Sequence, residues 1–360
     1  MGDKYRILSV NPGSTTTKVA LYEDEELIMQ ETINHSNEDL APYETLADQF
    51  SFRKDTILKL LEEKGIELES LKAVSCRGGD LGPLDSGTYK INSEMVEVSK
   101  AAGWHASNLG PVIGEDLSKT LDIPAFIVDP CCVDEMEDVA RISGWPELPR
   151  RSIFHPLNQK AISRKVAADM GTNYEDVNFV VAHMGGGISI GAHKKGKIID
   201  VNIGETGLFT PERGYPPAYS LVTLCFSGNY TQEEIMKKMM GQGGLYAYLG
   251  TKDAREVEKM IEEGNEEAES VYKAMAYQVS KNIGAVAAAL QGKIDAVVLT
   301  GGLAYSEMFT GWIKEYVEYL APVKIHPGEK ELEALALGAL RVVRGEEEPL
   351  EYSKPSEKKI

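Results

Sequence analysis

The stretch NPGSTTTK, residues 11–18, decides the fold, because it forms a glycine-containing turn between two strand-like runs. The runs are residues 6–10 and 17–22, and a third run over residues 27–33 completes an antiparallel meander. A second meander surrounds HMGGGIS, residues 183–189. Its three glycines lie in the first turn of that meander, as Gly13 lies in the first turn of the N-terminal meander. A pattern that returns with the same turn in the same place indicates an internal duplication.

Helices and strands alternate after each meander. Helical spacing covers residues 54–64, 94–101, 115–121, 266–290 and 331–343, and buried strands are predicted over residues 72–76, 125–128 and 296–300. We therefore predict an α/β protein made of two duplicated β-β-β-α-β-α-β domains, with hinge motion about one active site in the interdomain cleft.

The best domain boundary is GWPELPRR, residues 144–151, where two prolines interrupt every periodic pattern. We expect an N-terminal domain over residues 1–148, joined by the terminal helix at about 331–344. The C-terminal domain is expected over residues 149–330, and residues 345–360 as a loosely held, charged tail.

Composition narrows the function classes. The 360 residues are 42% hydrophobic and 26% charged and carry a net charge of −18, which indicates a globular protein and argues against nucleic-acid binding. No apolar run is long enough to span a membrane, the N-terminus has no signal-peptide core, and the four cysteines form no metal-binding pair. We expect a cytoplasmic protein with reduced thiols and no membrane partner.

The glycine turns are typical of phosphate binding. Gly13 and the hydroxyl residues Ser14, Thr15 and Thr16 can direct backbone N–H groups and hydroxyls at phosphate oxygens, although a solvated hairpin is the simpler alternative. In the second half, phosphate contacts are predicted for His183, Gly185, Gly186 and Gly187. Close approach of an adenosine group is predicted at the end of a strand, at Thr300, Gly301, Gly302 and Leu303.

Five motifs in succession resemble those of the acetate and butyrate kinase family, within the acetate-and-sugar-kinase, Hsp70 and actin superfamily. They are NPGSTTTK at 11–18, RRSIFH at 150–155, HMGGG at 183–187, TPERG at 210–214 and LTGG at 299–302. The resemblance extends from end to end, and the triple glycine, TPERG and the chain length are most similar to butyrate kinases. It implies ribonuclease H-like domains of the actin-like ATPase type.

The resemblance also assigns roles to single residues. It implies that Asn11, Ser14 and Thr16 line the β/γ-phosphate and magnesium region, with Lys18 nearby. The implied catalytic residues are two arginines, two histidines and an aspartate: Arg77, Arg213, His155, His105 and Asp129. From the residues alone, Arg77 could be a structural ion-pair partner, but its position directly after a buried strand and before Gly78 and Gly79 favours an active-site cleft.

Two more assignments follow from the resemblance. Asp253 and Arg255 are similar to a nucleotide-contacting Asp-Phe-Arg motif, but Ala254 replaces its aromatic residue. A magnesium-linked glutamate falls at Glu329 or Glu331, of which we prefer Glu331, with Asn11 as the second metal-site residue.

The implied reaction is phosphorylation of a short-chain carboxylate by ATP with Mg²⁺, butanoate + ATP = butanoyl phosphate + ADP, in a homo-oligomer that is at least a dimer. A carboxylate is already ionised at pH 7, so this transfer needs charge neutralisation and in-line positioning rather than a general base. A branched-chain, acetate or propionate kinase is the nearest alternative; a sugar kinase or a nucleotide-switch ATPase with a protein partner is more distant. Acetate kinases carry a bulky side chain after the arginine that corresponds to Arg77, so Gly78 and Gly79 are expected to enlarge the acyl pocket.

Overall fold

The computed structural model describes residues 4–13, 15–43, 45–102, 106–202 and 208–354. Two predicted site residues, Ser14 and His105, lie outside the described residues. The chain divides into two compact units. Unit 1 comprises Met1–Asp134, Arg151–Asn158 and Lys330–Ile360, and unit 2 comprises Glu135–Arg150 and Gln159–Glu329.

The strands of the described chain are β1 Arg6–Pro12, β2 Thr16–Glu23, β3 Glu26–Asn34, β4 Leu71–Cys76, β5 Thr88–Lys90, β6 Ala125–Val128, β7 Asn178–Met184, β8 Ile188–Lys194, β9 Lys197–Asn202, β10 Ala296–Gly301, β11 Val323–Pro327 and β12 Leu350–Glu351. The α-helices are α1 Asn37–Leu40, α2 Phe50–Glu63, α3 Ser93–Ala101, α4 Leu109–Leu121, α5 Asp138–Arg141, α6 Pro156–Asp169, α7 Ala218–Cys225, α8 Gln232–Met239, α9 Gly244–Leu249, α10 Ala254–Glu262, α11 Glu266–Ala287, α12 Glu307–Val317 and α13 Glu331–Val343. None of the described helices is both long and apolar enough to cross a membrane.

Both units contain the same five-strand core. In unit 1 the sheet order is β12-β5-β6-β4-β1-β2-β3, and in unit 2 it is β11-β10-β7-β8-β9. In each, the first strand of the meander is antiparallel to the second and parallel to a later strand, as β1 is to β4 and β7 is to β10. The predicted α/β fold and its duplication are confirmed.

The central strands of each sheet are buried on both faces, which explains their apolar residues. In unit 1 one face packs on α2, α3 and α4 through residues such as Val10 and Val74, and the other packs on α13 through Ile7 and Ala73. In unit 2 one face packs on α11 and α12, and the other on α6. Alternate residues of a strand therefore face different helices, which fixes the side of the sheet that each polar residue faces.

The C-terminal segment is more ordered than the expected loose tail. Leu350 and Glu351 form β12, which pairs with β5, and the following Tyr352 is only 3% exposed. The Tyr352 hydroxyl donates a hydrogen bond to the Leu81 carbonyl over 2.9 Å. An aromatic anchor in a charged segment thus adds a strand to the sheet.

The segment proposed as the domain boundary is bound to unit 2 up to Arg150. The Arg150 guanidinium donates to the Ala140 carbonyl, to the Val201 carbonyl and to the Asp200 carboxylate, each within 2.8 Å. The chain changes unit directly after this residue. Residues 135–150 therefore group with unit 2, although the sequence boundary placed most of them in the N-terminal domain.

Candidate active site

Three of the predicted site residues of unit 1 lie at the carboxyl ends of adjacent parallel strands. Asn11 is the penultimate residue of β1, Arg77 follows β4 directly, and Asp129 follows β6 directly. Because β6, β4 and β1 are neighbours in this order, these positions share one edge of the sheet. Ligands of open α/β sheets bind at this edge.

Asn11, Arg77 and Glu331 form a hydrogen-bonded cluster. Glu331 is only 4% exposed. Its carboxylate Oε2 accepts hydrogen bonds from Asn11 Nδ2 at 2.6 Å and from an Arg77 guanidinium nitrogen at 2.8 Å. Glu331 is the first residue of α13, so its charge also lies at the favourable end of the helix dipole. Burial of a carboxylate requires such compensation, and here the arginine supplies it.

Asp129 has a local structural role. It adopts a left-handed conformation with φ of 39°, and its Oδ1 accepts from the Ser86 hydroxyl at 2.6 Å and from the Gly87 N–H at 3.0 Å. Asp129 is 3% exposed, and its side chain fixes the loop before β5. This geometry agrees with an ordering function rather than with contact to a reacting group.

The β1–β2 turn is held by Arg53, a residue that the sequence analysis did not single out. The guanidinium is fully buried and donates to the Gly13 carbonyl at 2.7 Å, the Thr16 carbonyl at 2.9 Å and the Thr17 hydroxyl at 3.2 Å. Gln49, one turn earlier on the same helical segment, accepts from the same guanidinium. No pattern in the sequence relates this arginine to a turn some forty residues away.

The remaining residues of this turn are accessible to different degrees. Thr15 is exposed, Thr16 and Lys18 are half-buried, and the Gly13 N–H donates to the Thr16 carbonyl at 2.8 Å. Lys18 is paired directly with Asn11 across the two strands. Directly opposed residues share a face of the sheet, so Lys18 and Asn11 lie on the same face.

The triple-glycine turn of unit 2 has the same position in its sheet. The Gly185 N–H donates to the Gly187 carbonyl at 2.9 Å and closes the turn between β7 and β8. His183 is 2% exposed, with Nε2 3.9 Å from Glu329 Oε1. Gly186 is exposed, and a side chain there would lie 3.6 Å from the Glu212 carboxyl carbon.

Gly301 is required at the end of β10. Its φ is +92°, and a Cβ at this position would lie 2.4 Å from the Met184 carbonyl oxygen, far inside contact distance. The neighbouring Thr300 hydroxyl donates to the Gly328 carbonyl at 3.1 Å, and Gly302 is exposed with open space around it. Leu303 is 6% exposed in the unit 2 core, so only its backbone can contact a ligand.

Arg213 lies in a tight turn at residues 210–213. The Thr210 hydroxyl accepts from the Arg213 N–H at 3.1 Å, and Thr210 N–H donates to the Arg213 carbonyl at 3.0 Å. The buried Nε of Arg213 has no hydrogen-bond partner among the residues that the structure describes. An orphaned donor on a guanidinium is what an anion-binding arginine presents before its ligand arrives.

Asp253 and Arg255 pair with each other. Two guanidinium nitrogens of Arg255 donate to the two Asp253 carboxylate oxygens, at 2.9 and 2.5 Å, and Asp253 also caps α10. Hydrogen bonding to this arginine holds the pKa of Asp253 below its usual value. The Arg255 side chain is 89% exposed and stays accessible to a ligand.

His155 is half-buried and precedes Pro156, the first residue of α6. The preceding Phe154 is buried, and its N–H donates to the Cys131 carbonyl at 3.2 Å. This contact ties the segment that carries His155 to the chain that follows β6 and Asp129.

The expected acyl space at Gly78 and Gly79 is absent. A Cβ on Gly79 would lie 1.5 Å from Asn108 Oδ1, and a Cβ on Gly78 would lie 2.8 Å from the Pro130 Cβ. The Asn108 oxygen is in turn fixed by the Asp80 N–H at 3.0 Å. Both glycines allow close packing of neighbouring chain segments, so the expectation that they enlarge a substrate pocket is wrong.

The donor set of the unit 1 cluster suits a hard cation. Mg²⁺ prefers oxygen ligands and is usually held by one or two protein side chains together with substrate phosphates and water. The carboxylate of Glu331 and the amide oxygen of Asn11 meet that description. Within the described residues, no group of three or more histidine, cysteine, aspartate or glutamate side chains could hold a metal without a substrate.

Comparisons with known proteins agree with this architecture. Residues 147–315 match the model of the Acetokinase family. An acetate kinase from Porphyromonas gingivalis superposes with a TM-score of 0.78 at 21% identity, over 94% of this chain and 100% of that one. A propionate kinase from Francisella tularensis subsp. tularensis gives 0.74 at 20% identity, over 93% and 98%, and an acetate kinase from Entamoeba histolytica gives 0.73 at 16%, over 92% and 97%. Residues 147–315 are thus similar to the Acetokinase family, and the fold is similar over more than nine-tenths of the chain to the folds of these acetate and propionate kinases.

Proposed function

We propose that this protein belongs to the acetate and butyrate kinase family and transfers the γ-phosphoryl group of ATP directly to a short-chain carboxylate. The reaction is butanoate + ATP = butanoyl phosphate + ADP, with acetate, propionate or a branched acid as alternative substrates. The observation that carries the proposal is the cluster of Asn11, Arg77 and Glu331 at the carboxyl ends of β1 and β4. The matches to the Acetokinase family and to acetate and propionate kinase structures support the same class.

The chemistry of these residues suits phosphoryl transfer to an ionised acid. The acceptor carboxylate is its own nucleophile, so the protein has to position it and to balance the negative charge of the phosphoryl group. Arg77, held by Glu331, presents its remaining N–H groups in a fixed orientation, and Arg213 has an orphaned donor. Two such guanidinium groups stabilise a transition state in which charge spreads over the equatorial phosphoryl oxygens.

Nucleotide binding would use the backbone of the glycine turns. Gly13 in unit 1, and Gly185 and Gly301 in unit 2, follow or end strands, and their own N–H groups donate to the carbonyls of Thr16, Gly187 and Gly328. These glycines would fix the turns, and neighbouring N–H groups of the turns would contact phosphate. Glu331 and Asn11 would hold Mg²⁺, which would neutralise part of the phosphate charge. Asp129, His155 and His105 remain proposed contributors to the arrangement of these groups.

We favour butanoate as the substrate because the triple glycine and the TPERG segment most resemble those of butyrate kinases. A sugar kinase would need a carboxylate that accepts a hydroxyl proton. Asp129, at the carboxyl end of β6, is bound through Oδ1 to Ser86 and Gly87, which disfavours that role.

The test is trapping of the product with hydroxylamine. Purified protein, ATP, Mg²⁺ and each straight or branched acid from two to six carbons are incubated, and the acyl hydroxamate and ADP are measured together. We expect equal amounts of hydroxamate and ADP, with the highest kcat/KM for a four-carbon acid. Consumption of ATP without hydroxamate, for every acid, would refute the proposal, and a maximum at acetate or propionate would refute only the butyrate assignment.

A further inference from the structure

His35 follows β3 directly and lies beside the β1–β2 turn. Its backbone N–H donates to the Thr15 carbonyl at 2.9 Å, and its Nε2 lies 2.8 Å from the Thr17 hydroxyl. The imidazole packs edge-on against the Phe52 ring, with 5.1 Å between the ring centroids. His35 is 5% exposed and Thr17 is fully buried. The imidazole is thus a buried titratable group at the turn, and the proposed reaction does not use it.

The hydrogen bonds of the Thr17 hydroxyl define the protonation state of His35. The hydroxyl oxygen also accepts from the Arg53 guanidinium at 3.2 Å, and an arginine can only donate. A hydroxyl has one hydrogen, and in this buried position that hydrogen is satisfied if it is donated to His35 Nε2. Nε2 must then carry no proton. We call His35, Thr17 and Arg53 the Thr17 group, and its hydrogen bonds require a neutral imidazole.

A proton on His35 Nε2 would disrupt the Thr17 group. Nε2 and the Arg53 nitrogen both lie within 3.2 Å of one buried hydroxyl oxygen, so protonation would direct two cations at the same atom. Among the described residues, the charged groups that act on His35 are Arg53 of α2 and Asp39 of α1. Asp39 is exposed and accepts from the N–H and the hydroxyl of Ser36, both at 2.8 Å. Burial and Arg53 together hold the pKa of His35 below its usual value.

The position of Thr17 determines which residues of β2 lie beside Asn11. Thr17 and Val19 are on the face of the sheet that packs on α2, through Arg53 and through the apolar core. Lys18 is paired with Asn11 and shares its face of the sheet. Because successive residues of a strand point to opposite faces, anchoring Thr17 on the α2 side keeps Lys18 on the Asn11 side. A slip of β2 by one residue would exchange the two faces.

We propose that His35 is a positioning residue for ATP, whose neutral imidazole holds the start of β2, through Thr17, in the arrangement that binds the ATP phosphates. The inference rests on the proposed function, which places those phosphates at the turn that contains Gly13. His35 itself makes no contact with the nucleotide in this account. Affinity for ATP should therefore decrease when His35 takes up a proton.

The main experiment measures the Kd of a fluorescent ATP analogue with Mg²⁺, in the absence of acid substrate, from about pH 7.5 to about pH 5.5. Below the pKa of His35, the wild-type Kd should rise by up to about tenfold per pH unit. Phosphate groups also take up a proton near about pH 6, so the decisive quantity is the difference between the wild type and His35→Gln. A glutamine amide oxygen can accept from the Thr17 hydroxyl and does not titrate, so His35→Gln should give the flatter profile. Identical profiles for the two proteins would overturn the proposal.

His35→Leu and Thr17→Val separate positioning from folding. Each removes one partner of the hydrogen bond between Nε2 and the hydroxyl, so at pH 7.5 the Kd of the analogue should rise about three- to tenfold. KM for ATP should rise with it, whereas kcat and KM for the acid should change less. Because both substitutions remove the same interaction, the double variant should raise the Kd little more than either single variant. A lowered melting temperature with unchanged Kd and KM in both single variants would show a purely structural role and overturn the proposal.

His193→Gln is the matched control. His193 is also buried, its pKa is also held below its usual value, and its Nδ1 lies 2.7 Å from the Tyr174 hydroxyl. It is near the end of β8, whereas the triple-glycine turn precedes the start of that strand. The pH profile of Kd should therefore be that of the wild type. A profile as flat as that of His35→Gln would show that the Thr17 group is not the cause.

The hydroxamate assay separates this inference from the proposed function. If the wild type forms no acyl phosphate with any acid, the proposed function fails, and the difference in Kd between the wild type and His35→Gln still decides the role of His35. If the wild type forms acyl phosphate and the two Kd profiles coincide, only the inference about His35 fails.

Discussion

Replacing Glu331 with glutamine tests the central cluster, because it removes one charge and almost no volume. The Glu331 carboxylate accepts two hydrogen bonds, from Asn11 and from Arg77, and is 4% exposed. In Glu331→Gln the amide oxygen can take the place of Oε2 and accept from both donors, but it carries no charge, so both charge-assisted hydrogen bonds weaken. A hydrogen bond to a charged group contributes about 1.5–3 kcal/mol. The Arg77 side chain is 21% exposed, so water compensates part of the loss, and we take about 2 kcal/mol.

A loss of about 2 kcal/mol lowers the melting temperature of a unit of this size by about 4–8 °C. The effect on catalysis should be larger, because Arg77 would lose its fixed orientation and the site would lose one metal ligand. Loss of one such electrostatic contact usually lowers kcat by about 10²–10³. In a double-mutant cycle with Arg77→Gln, the two changes should cost much less than the sum of the single effects, since they remove the same interaction.

Differential scanning fluorimetry and the hydroxamate assay measure the two effects on the same preparation. Glu333→Gln serves as a control, because Glu333 lies on the same turn of α13 but pairs with Lys330 at the surface. A Glu331→Gln protein that keeps half of the wild-type kcat would contradict the assigned role of the cluster. Additive effects of Glu331→Gln and Arg77→Gln would show that their contact does not couple them.

Four further expectations follow from other parts of the structure. Arg213→Ala should lower kcat by about 10²–10³ in the hydroxamate assay with a smaller effect on KM for ATP, and lysine at this position should not restore it. Gly79→Val should lower the melting temperature without shifting the ratio of butyrate to acetate turnover, because no side chain fits there. His155→Ala should lower kcat more than His105→Ala does, and the reverse order would exchange their roles. Burial holds the pKa of His193 well below its usual value, so below about pH 6.5 the unfolded state binds a proton that the folded state does not. The free energy of unfolding should therefore decrease as the pH is lowered, by up to about 1.4 kcal/mol per pH unit. Chemical denaturation over this pH range should show that slope for the wild type and not for His193→Gln.

The sequence predicted the elements whose residues alternate or repeat clearly. Both meanders are confirmed, and β6 and α13 begin and end where their apolar patterns do. Helix α6 was not predicted, because polar residues interrupt its buried apolar positions. Asn158, Gln159, Lys160 and Ser163 are all at most 2% exposed. Gln159 and Ser163 contact buried His193, so hydrogen bonds replace the apolar contacts that a periodicity search detects.

The position of a candidate residue was predictable where it follows its strand directly, as Arg77 and Asp129 do. It was not predictable where the contact depends on a distant segment. Arg53 looks like an ordinary charged residue of a helix, and its role appears only when α2 lies against the turn at Gly13. The interpretation of Gly79 was wrong for the same reason. A glycine in the sequence is compatible both with an open pocket and with close packing, here against Asn108.

The two halves of the duplication place different kinds of residue at the same strand ends. In unit 1 the residues after β4 and β6 are charged, and the side chains of Arg77 and Asp129 form hydrogen bonds there. In unit 2 the equivalent end of β10 is Gly301, which must lack a side chain because the Met184 backbone lies against it. A sheet edge that excludes side chains can offer a ligand only backbone groups, which suit the phosphates and sugar that every nucleotide shares. A sheet edge with charged side chains can instead position the acceptor and balance the transferred charge. Substitution of Arg77 should therefore change kcat/KM for the acid more than the Kd for ATP, and substitution of Gly301 should change the Kd for ATP more.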